Sequence, residues 1–498
     1  MKQSNYLKEL ILSLTKPEKR YFKVFASTHK SKNLSILLFD EINKNKVYDE
    51  SLLREKFRKE FKLKQFHVAK NYLYHLILKA LSSFYQEHSV ERKLNTAIDE
   101  IEILFHKGLY IQSYKTLLNA KKSAIQFEKY LKLLNLIEWE NRLAHTRKDP
   151  SFLRKFIGTA FQEELNALKI LTKNAQLKKD SIDIVFINTN SSLGKEILLR
   201  KFQDIVNKPE VNGSKNEPFF IKAIQYYILS SYHLFSGRLE ESFNYDKLLV
   251  DHLHAHSYQL LDNHRIYIAG LNNIIFKTIR LSKFNVSKKY LLSLKQLNSD
   301  TRKKKLFTED VNIRLFIRSN YLELLLYYKQ DKFEEMERMI SRCTTGFENF
   351  QGKISNRDLV PFFYLFAAAL FRLKKYSHAF VWINRILNEY KKSEVMDLYC
   401  QTLMLELLVF FSIPDLKVLS YKIPSVERFF KKHKRYFETE KLILNRLKGF
   451  IKINASTLEN LKIELLSLRR EIGIIYKDNP AERNNTDYFN YLGWLNDF

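Results

Sequence analysis

The stretch DHLHAHSYQLLDNH (251–264) gathers four histidines and two aspartates. On a helix His252 and His256 stand one turn apart on one face, a spacing that suits two imidazoles on a zinc or nickel ion. Asp251, Asp262 or His264 could supply a third ligand. His254 points elsewhere, however, no glutamate completes an H-E-x-x-H arrangement, and no cysteine is near. The expected reading is a polar helix end, with no metal and no cofactor.

A second cluster, RFFKKHKRYF (428–437), interleaves Arg428, Lys431, Lys432, Lys434 and Arg435 with Phe429, Phe430, Tyr436 and Phe437. Such cations could neutralise phosphates while exposed rings stack on bases. They would equally suit an acidic protein partner. The simpler arrangement makes the rings a buried stripe and the lysines its solvated back. A helix-turn-helix over 50–84 would place Lys64, Gln65, Lys70, Asn71 and Tyr74 towards a DNA groove. RKKK (302–305), after Asp300 and Thr301, reads as a solvated loop.

Catalytic patterns are missing. Gly194-Lys195 lacks the upstream glycine and the following Ser or Thr of a P-loop, and there is no G-x-S-x-G or G-x-G-x-x-G. Carboxylate pairs such as Glu163-Glu164 and Glu334-Glu335 fall on amphipathic patterns and read as solvated faces.

The elements that must carry these residues are helices. Among 498 residues there are only 11 glycines and 8 prolines, about a third of the usual share of roughly 12 percent, which excludes a strand-rich fold. Apolar residues recur at three- and four-residue spacing almost throughout. Thr15-x-x-Glu18 and Ser456-x-x-Glu459 read as capping boxes, Asp331-x-x-Glu334 approximates one, and Asp149-Pro150 places a cap before a first-turn proline. At this length one core is too few, so two or three helical units are expected.

The formal charge of +29 is spread evenly, each hundred-residue block carrying between +4 and +8. Lysines outnumber arginines, 59 to 25. This is the pattern of a diffuse solubilising coat rather than a basic tail. Cys343 and Cys400 are too few for a disulfide framework and read as reduced core thiols of a cytoplasmic protein. The longest apolar run, VPFFYLFAAALF (360–371), is far short of the roughly 20 residues of a membrane span, and the first residues lack a cleavage-site pattern. No membrane role is expected.

A unit recurs within the helices. In FYLFAAALFRLKKYSHAFVWINRIL (363–387) one helix presents Phe363, Phe366, Ala367 and Leu370. Tyr376 follows the turn at Lys374-Lys375, and a second helix presents Ala379, Ile383 and Ile386. Small residues at 367 and 379 allow close antiparallel approach. This resembles a tetratricopeptide repeat, which has small residues at those points and an aromatic after the turn. Weaker copies place Tyr110, Leu239, Phe284 and Phe333 at the junction, the last three and Tyr376 being 45, 49 and 43 residues apart, longer than the family's 34. The likeness implies an all-α, tetratricopeptide-like helical-hairpin solenoid.

The organisation expected is an N-terminal helical domain of five helices over 1–88, outside the repeat. A first repeat array covers 89–206 and a second 217–477, divided by VNKPEVNGSKNEP (206–218), and a capping helix closes the chain over 478–498. LTKPEKRYFKVFAS (14–27), KNYLYHLILKAL (70–81) and DNPAERNNTDYFNYLGWL (478–495) together resemble an uncharacterised family of roughly 500-residue all-helical bacterial proteins, which brings no activity. The function expected is a non-enzymatic scaffold that binds another protein or peptide, acidic ones being favoured by the charge. The alternative is a nucleic-acid-linked regulator working through the N-terminal helices or the 428–437 patch.

Overall fold

The computed structural model describes residues 6–28, 32–44, 50–58, 63–86, 89–147, 150–189, 195–213, 216–261, 263–299, 307–433, 437–453, 458–479, 482 and 489–496. These residues are helical with short turns, and no strand occurs among them. The chain divides into two units, one of Met1–Asp180 with Gly213–Lys222, the other of Ser181–Asn212 with Ala223–Phe498.

The first unit opens with α1 (Tyr6–Ser13), α2 (Lys16–Ser27), α3 (Lys32–Lys44), α4 (Glu50–Lys56) and α5 (Leu63–Phe84), the five helices expected. Along α5, Phe66, Leu73, Leu76, Ile77 and Ala80 are buried in one cluster with Phe22, Leu38 and Phe39. The capping box at Thr15 forms: its hydroxyl accepts from the Glu18 amide, and the Thr15 amide donates to Glu18 Oε2 at 2.6 Å. Tyr85, just past α5, donates its hydroxyl to Glu18 Oε1, which ties the end of α5 to the start of α2. There follow α6 (Val90–His106), α7 (Tyr110–Gln126), α8 (Tyr130–Arg147) and α9 (Pro150–Thr189), with a core of their own around Leu117, Leu136 and Leu143.

The second unit holds α10 (Lys195–Val206) and then α11 (Phe219–Phe235), α12 (Leu239–Ala255), α13 (His264–Arg280), α14 (Phe284–Ser299), α15 (Glu309–Lys329), α16 (Phe333–Asn349), α17 (Asn356–Arg372), α18 (Tyr376–Glu389), α19 (Met396–Ser412), α20 (Leu416–Lys432), α21 (Glu438–Ile453), α22 (Leu458–Asp478) and α23 (Tyr491–Leu495). From α11 to α20, consecutive helices are separated alternately by short and longer stretches of chain. The tight turns share one geometry. The first helix ends in a Schellman motif, in which an amide reaches back five residues to the last-turn carbonyl. Arg238 bonds to His233 (2.8 Å), Lys283 to Thr278 (2.8 Å), Lys332 to Tyr327 (3.0 Å), Lys375 to Leu370 (2.9 Å) and Asp415 to Phe410 (3.0 Å). Leu109 does the same to Leu104 between α6 and α7 (2.9 Å).

The residue before each such amide is left-handed at Gly108, Gly237, Ser282, Asp331 and Lys374. Asp331 therefore closes α15 rather than capping α16, and the approximate capping box read there is corrected. The N-cap of α16 is Lys332, with no side-chain bond.

The junction residue then opens the second helix. Three residues later a buried side chain meets the first helix: Ser113, Ser242, Ser287, Met336, Ala379 and Leu419 are all inaccessible or nearly so. Opposite them, Ile101, Ser230, Ile275, Leu324, Ala367 and Leu407 are buried as well. Where both spaces are tight a serine fastens the pair. Ser113 Oγ donates to the Ile101 carbonyl (3.0 Å) and Ser242 Oγ to that of Ser230 (2.6 Å).

First and second helices differ in burial. In α17 every residue from Phe362 to Phe371 is buried, and α19 is buried from Tyr399 to Val409 save Leu403. A helix apolar all round belongs inside. In α18 and α20 only a stripe is buried, Ala379, Ile383 and Ile386 in one and Leu419, Ile423, Val426 and Phe430 in the other. Successive first helices touch one another, α13 with α15, α15 with α17 and α17 with α19.

Candidate functional site

The first helices of the second unit line an open cavity of about 620 Å³. All of its lining comes from α13, α15, α17, α19 or the segments leading into α19 and α21. The residues recur at helical spacing, as a shared face requires: Phe276 and Arg280 on α13, Tyr321, Leu325 and Lys329 on α15, Arg357, Pro361, Tyr364 and Leu365 on α17. Glu394, Asp397 and Phe437 complete it.

The lining thus includes three cations and two carboxylates beside aromatic and apolar side chains. Arg280 lies 5.9 Å from the Phe276 ring centroid. Glu394 accepts from Asn356 Nδ2 at 2.9 Å. Arg357 is exposed on the first turn of α17 and has no side-chain hydrogen bond or ion pair among the described residues. Pro361, which has no N–H, deprives the Arg357 carbonyl of its usual helical donor. The arrangement offers charge, two tyrosines and an apolar floor for binding. It holds no nucleophile paired with a base.

The segment 489–495 lies on three of the same helices. Phe489, Tyr491, Trp494 and Leu495 are buried. The Asn490 amide donates to Tyr328 Oη on α15 (3.2 Å), Phe489 meets Phe371 on α17 with ring centroids 5.9 Å apart, and Trp494 meets Phe411 on α19 at 6.2 Å. The described helix here is only Tyr491–Leu495.

The histidine cluster is placed at the end of α12. His252 and His256 have ring centroids 4.6 Å apart, and His256 Nδ1 donates to the His252 carbonyl (2.9 Å). His254 Nε2 is 2.8 Å from Tyr267 Oη. Asp262 lies outside the described residues, among which no three His, Cys, Asp or Glu side chains are grouped to hold a metal ion.

The 428–437 run splits. Phe430 is fully buried in the core. Phe429 is half-buried, 5.4 Å from Tyr399 and 4.4 Å from His433 between centroids, with Lys392 Nζ 5.3 Å from its own. Arg428, Lys431 and Lys432 are exposed, whereas Lys434, Arg435 and Tyr436 lie outside the described residues. Phe437 lines the cavity. In the 50–84 set, Gln65 and Asn71 are exposed, Lys70 sits 5.5 Å from the Phe66 ring centroid, Tyr74 packs on the N-terminal core, and the Lys64 side chain is outside the description. RKKK (302–305) also lies outside it.

Buried ion pairs staple neighbouring helices. Lys277 on α13 meets Asp246 on α12 at 2.5 Å, and Ser230 on α11 donates to the same carboxylate at 2.6 Å. Burial pushes the Asp246 carboxyl up and the Lys277 ammonium down, against the attraction between them. Burial alone would raise Glu323 on α15, but bonds from Lys295 and Arg342 outweigh it and hold the carboxyl low. Burial likewise works against the Lys121 ammonium, but Glu140 and Glu163 hold it above its usual range. Both cysteines are buried, and burial pushes their thiols to about 12.

Sequence reading missed Arg280, Lys329, Arg357, Glu394 and Asp397. The available signal was a basic residue four positions from an aromatic or apolar one on the same helix, as in Phe276 and Arg280, Leu325 and Lys329, and Arg357 and Pro361. Against known proteins, the chain matches no family model and no curated sequence. No described helix is long and apolar enough to cross a membrane.

Proposed function

We propose that the chain is a non-enzymatic cytoplasmic scaffold, a tetratricopeptide-like helical-hairpin solenoid that binds a segment of another protein on its first helices. The observation that carries this reading is the cavity of about 620 Å³, which no second helix lines. Its size falls in the range of roughly 300–1,000 Å³ used for compact ligands, and its mix of apolar floor and few charges suits orientation as well as affinity. The aromatic segment Phe489–Leu495, already seated on α15, α17 and α19, supports the same reading, because these helices hold a further short stretch of chain through rings and one backbone amide.

The test is selection from a displayed random-peptide library against the full-length protein, with binders resynthesised and measured by fluorescence anisotropy. Specific peptide binding, weakened by substitution of cavity residues, is expected. A library that yields no binder of any composition contradicts the reading.

A further inference from the structure

We infer that the cavity takes an acidic peptide segment carrying one bulky apolar residue. This rests on the scaffold reading and names its ligand. Arg280, Lys329 and Arg357 come from three successive first helices and converge on one space. Guanidinium groups hold carboxylates with two parallel hydrogen bonds, and Arg357, exposed and without a partner among the described residues, has its donors available for that. Tyr321 and Tyr364, with the leucines beside them, supply the floor for the apolar side chain.

Glu394 and Asp397 decide between peptide and nucleic acid. A polynucleotide brings a negative charge with every phosphate and would meet both carboxylates. A peptide brings discrete carboxylates separated by amides, whose N–H groups pair with the same two acids. The chain's charge of +29 favours encounter with an acidic partner.

The experiment uses full-length protein and three fluorescein-labelled nonapeptides: one of Asp and Glu around a central Trp, one with Lys replacing the acids, and one with Ala replacing Trp. A labelled oligodeoxythymidylate is the fourth probe. The acidic Trp peptide is expected to bind at physiological salt, with both analogues at least about tenfold weaker. Arg357→Glu should weaken the acidic peptide by about tenfold or more, the cost of turning one charge-assisted bond into repulsion. Arg357→Gln should fall between. Lys417→Glu, on the exposed side of α20, should change nothing, and circular dichroism should be the same for all.

Equal binding of the Lys peptide, or indifference to Arg357→Glu, overturns the acidic assignment and leaves the scaffold reading standing. Binding by none of the three peptides overturns it too, and the library selection then decides the scaffold reading separately. Binding of the oligonucleotide alone, abolished by Arg357→Glu, contradicts both.

Discussion

Replacing Lys277 with methionine should be among the most damaging single changes in the second unit. Asp246 is inaccessible and Lys277 nearly so, and they meet at 2.5 Å where α11, α12 and α13 join. Lys277→Met leaves a buried carboxylate with Ser230 as its remaining named donor. Stranding one partner of a buried pair costs about 3–5 kcal/mol, whereas replacing both with apolar residues is commonly neutral. At about 1.4 kcal/mol per tenfold, amide protection on α11–α13 should fall by about a hundredfold to several thousandfold. Hydrogen exchange is the right assay, because a long helical chain opens locally and a global transition would blur the effect.

The pH dependence has a defined sign. Lys277 counters the upward push of burial on Asp246. Without it the folded carboxyl titrates higher still, above its unfolded value. A carboxyl raised on folding binds more protons folded than unfolded, so stability falls as pH rises through that window. The deficit of Lys277→Met should be full at neutral pH and shrink on acidification. Adding Asp246→Leu should recover most of the protection. Wild-type protection in the single variant, or an equal loss in single and double variants, would refute the reasoning.

Cys343 and Cys400, with thiols raised to about 12 by burial, should resist alkylation at pH 8 in the native protein and react fully in denaturant, as mass spectrometry will show. Lys374→Gly should stabilise by up to about 1 kcal/mol, since Lys374 sits at φ 58°, whereas Gly237→Ala at φ 77° should destabilise by a similar amount; urea midpoints check both. Phe430→Ala should cost about 3–5 kcal/mol because the ring is fully buried. Alanine at Lys431 and Lys432 should leave the melting temperature almost unchanged.

The helical class and the hairpin junctions were legible because they rest on local chemistry. Tyr110, Leu239, Phe284, Phe333 and Tyr376 each open a helix where the spacing placed them. The junction at Leu416 was not read, since Pro414 resembles a helix breaker. Asp331 misled because a left-handed residue is expected to be glycine, and an aspartate before a helix looks like a cap. Asp246 and Lys277 look like surface residues in sequence, as burial of a charge depends on a partner 31 residues away. The cavity was out of reach for the same reason. Its lining runs from Phe276 to Phe437 and is assembled only by the stacking of first helices.

Peptide binding on the first helices of the second unit has a direct signature in hydrogen exchange of the full-length protein, compared with and without the tightest peptide from library selection. Added protection is expected on the last turns of α13 and α15, the first turns of α17 and the start of α19. Protection confined to the second helices α14, α16, α18 and α20, or to the first unit, would contradict binding on the first helices.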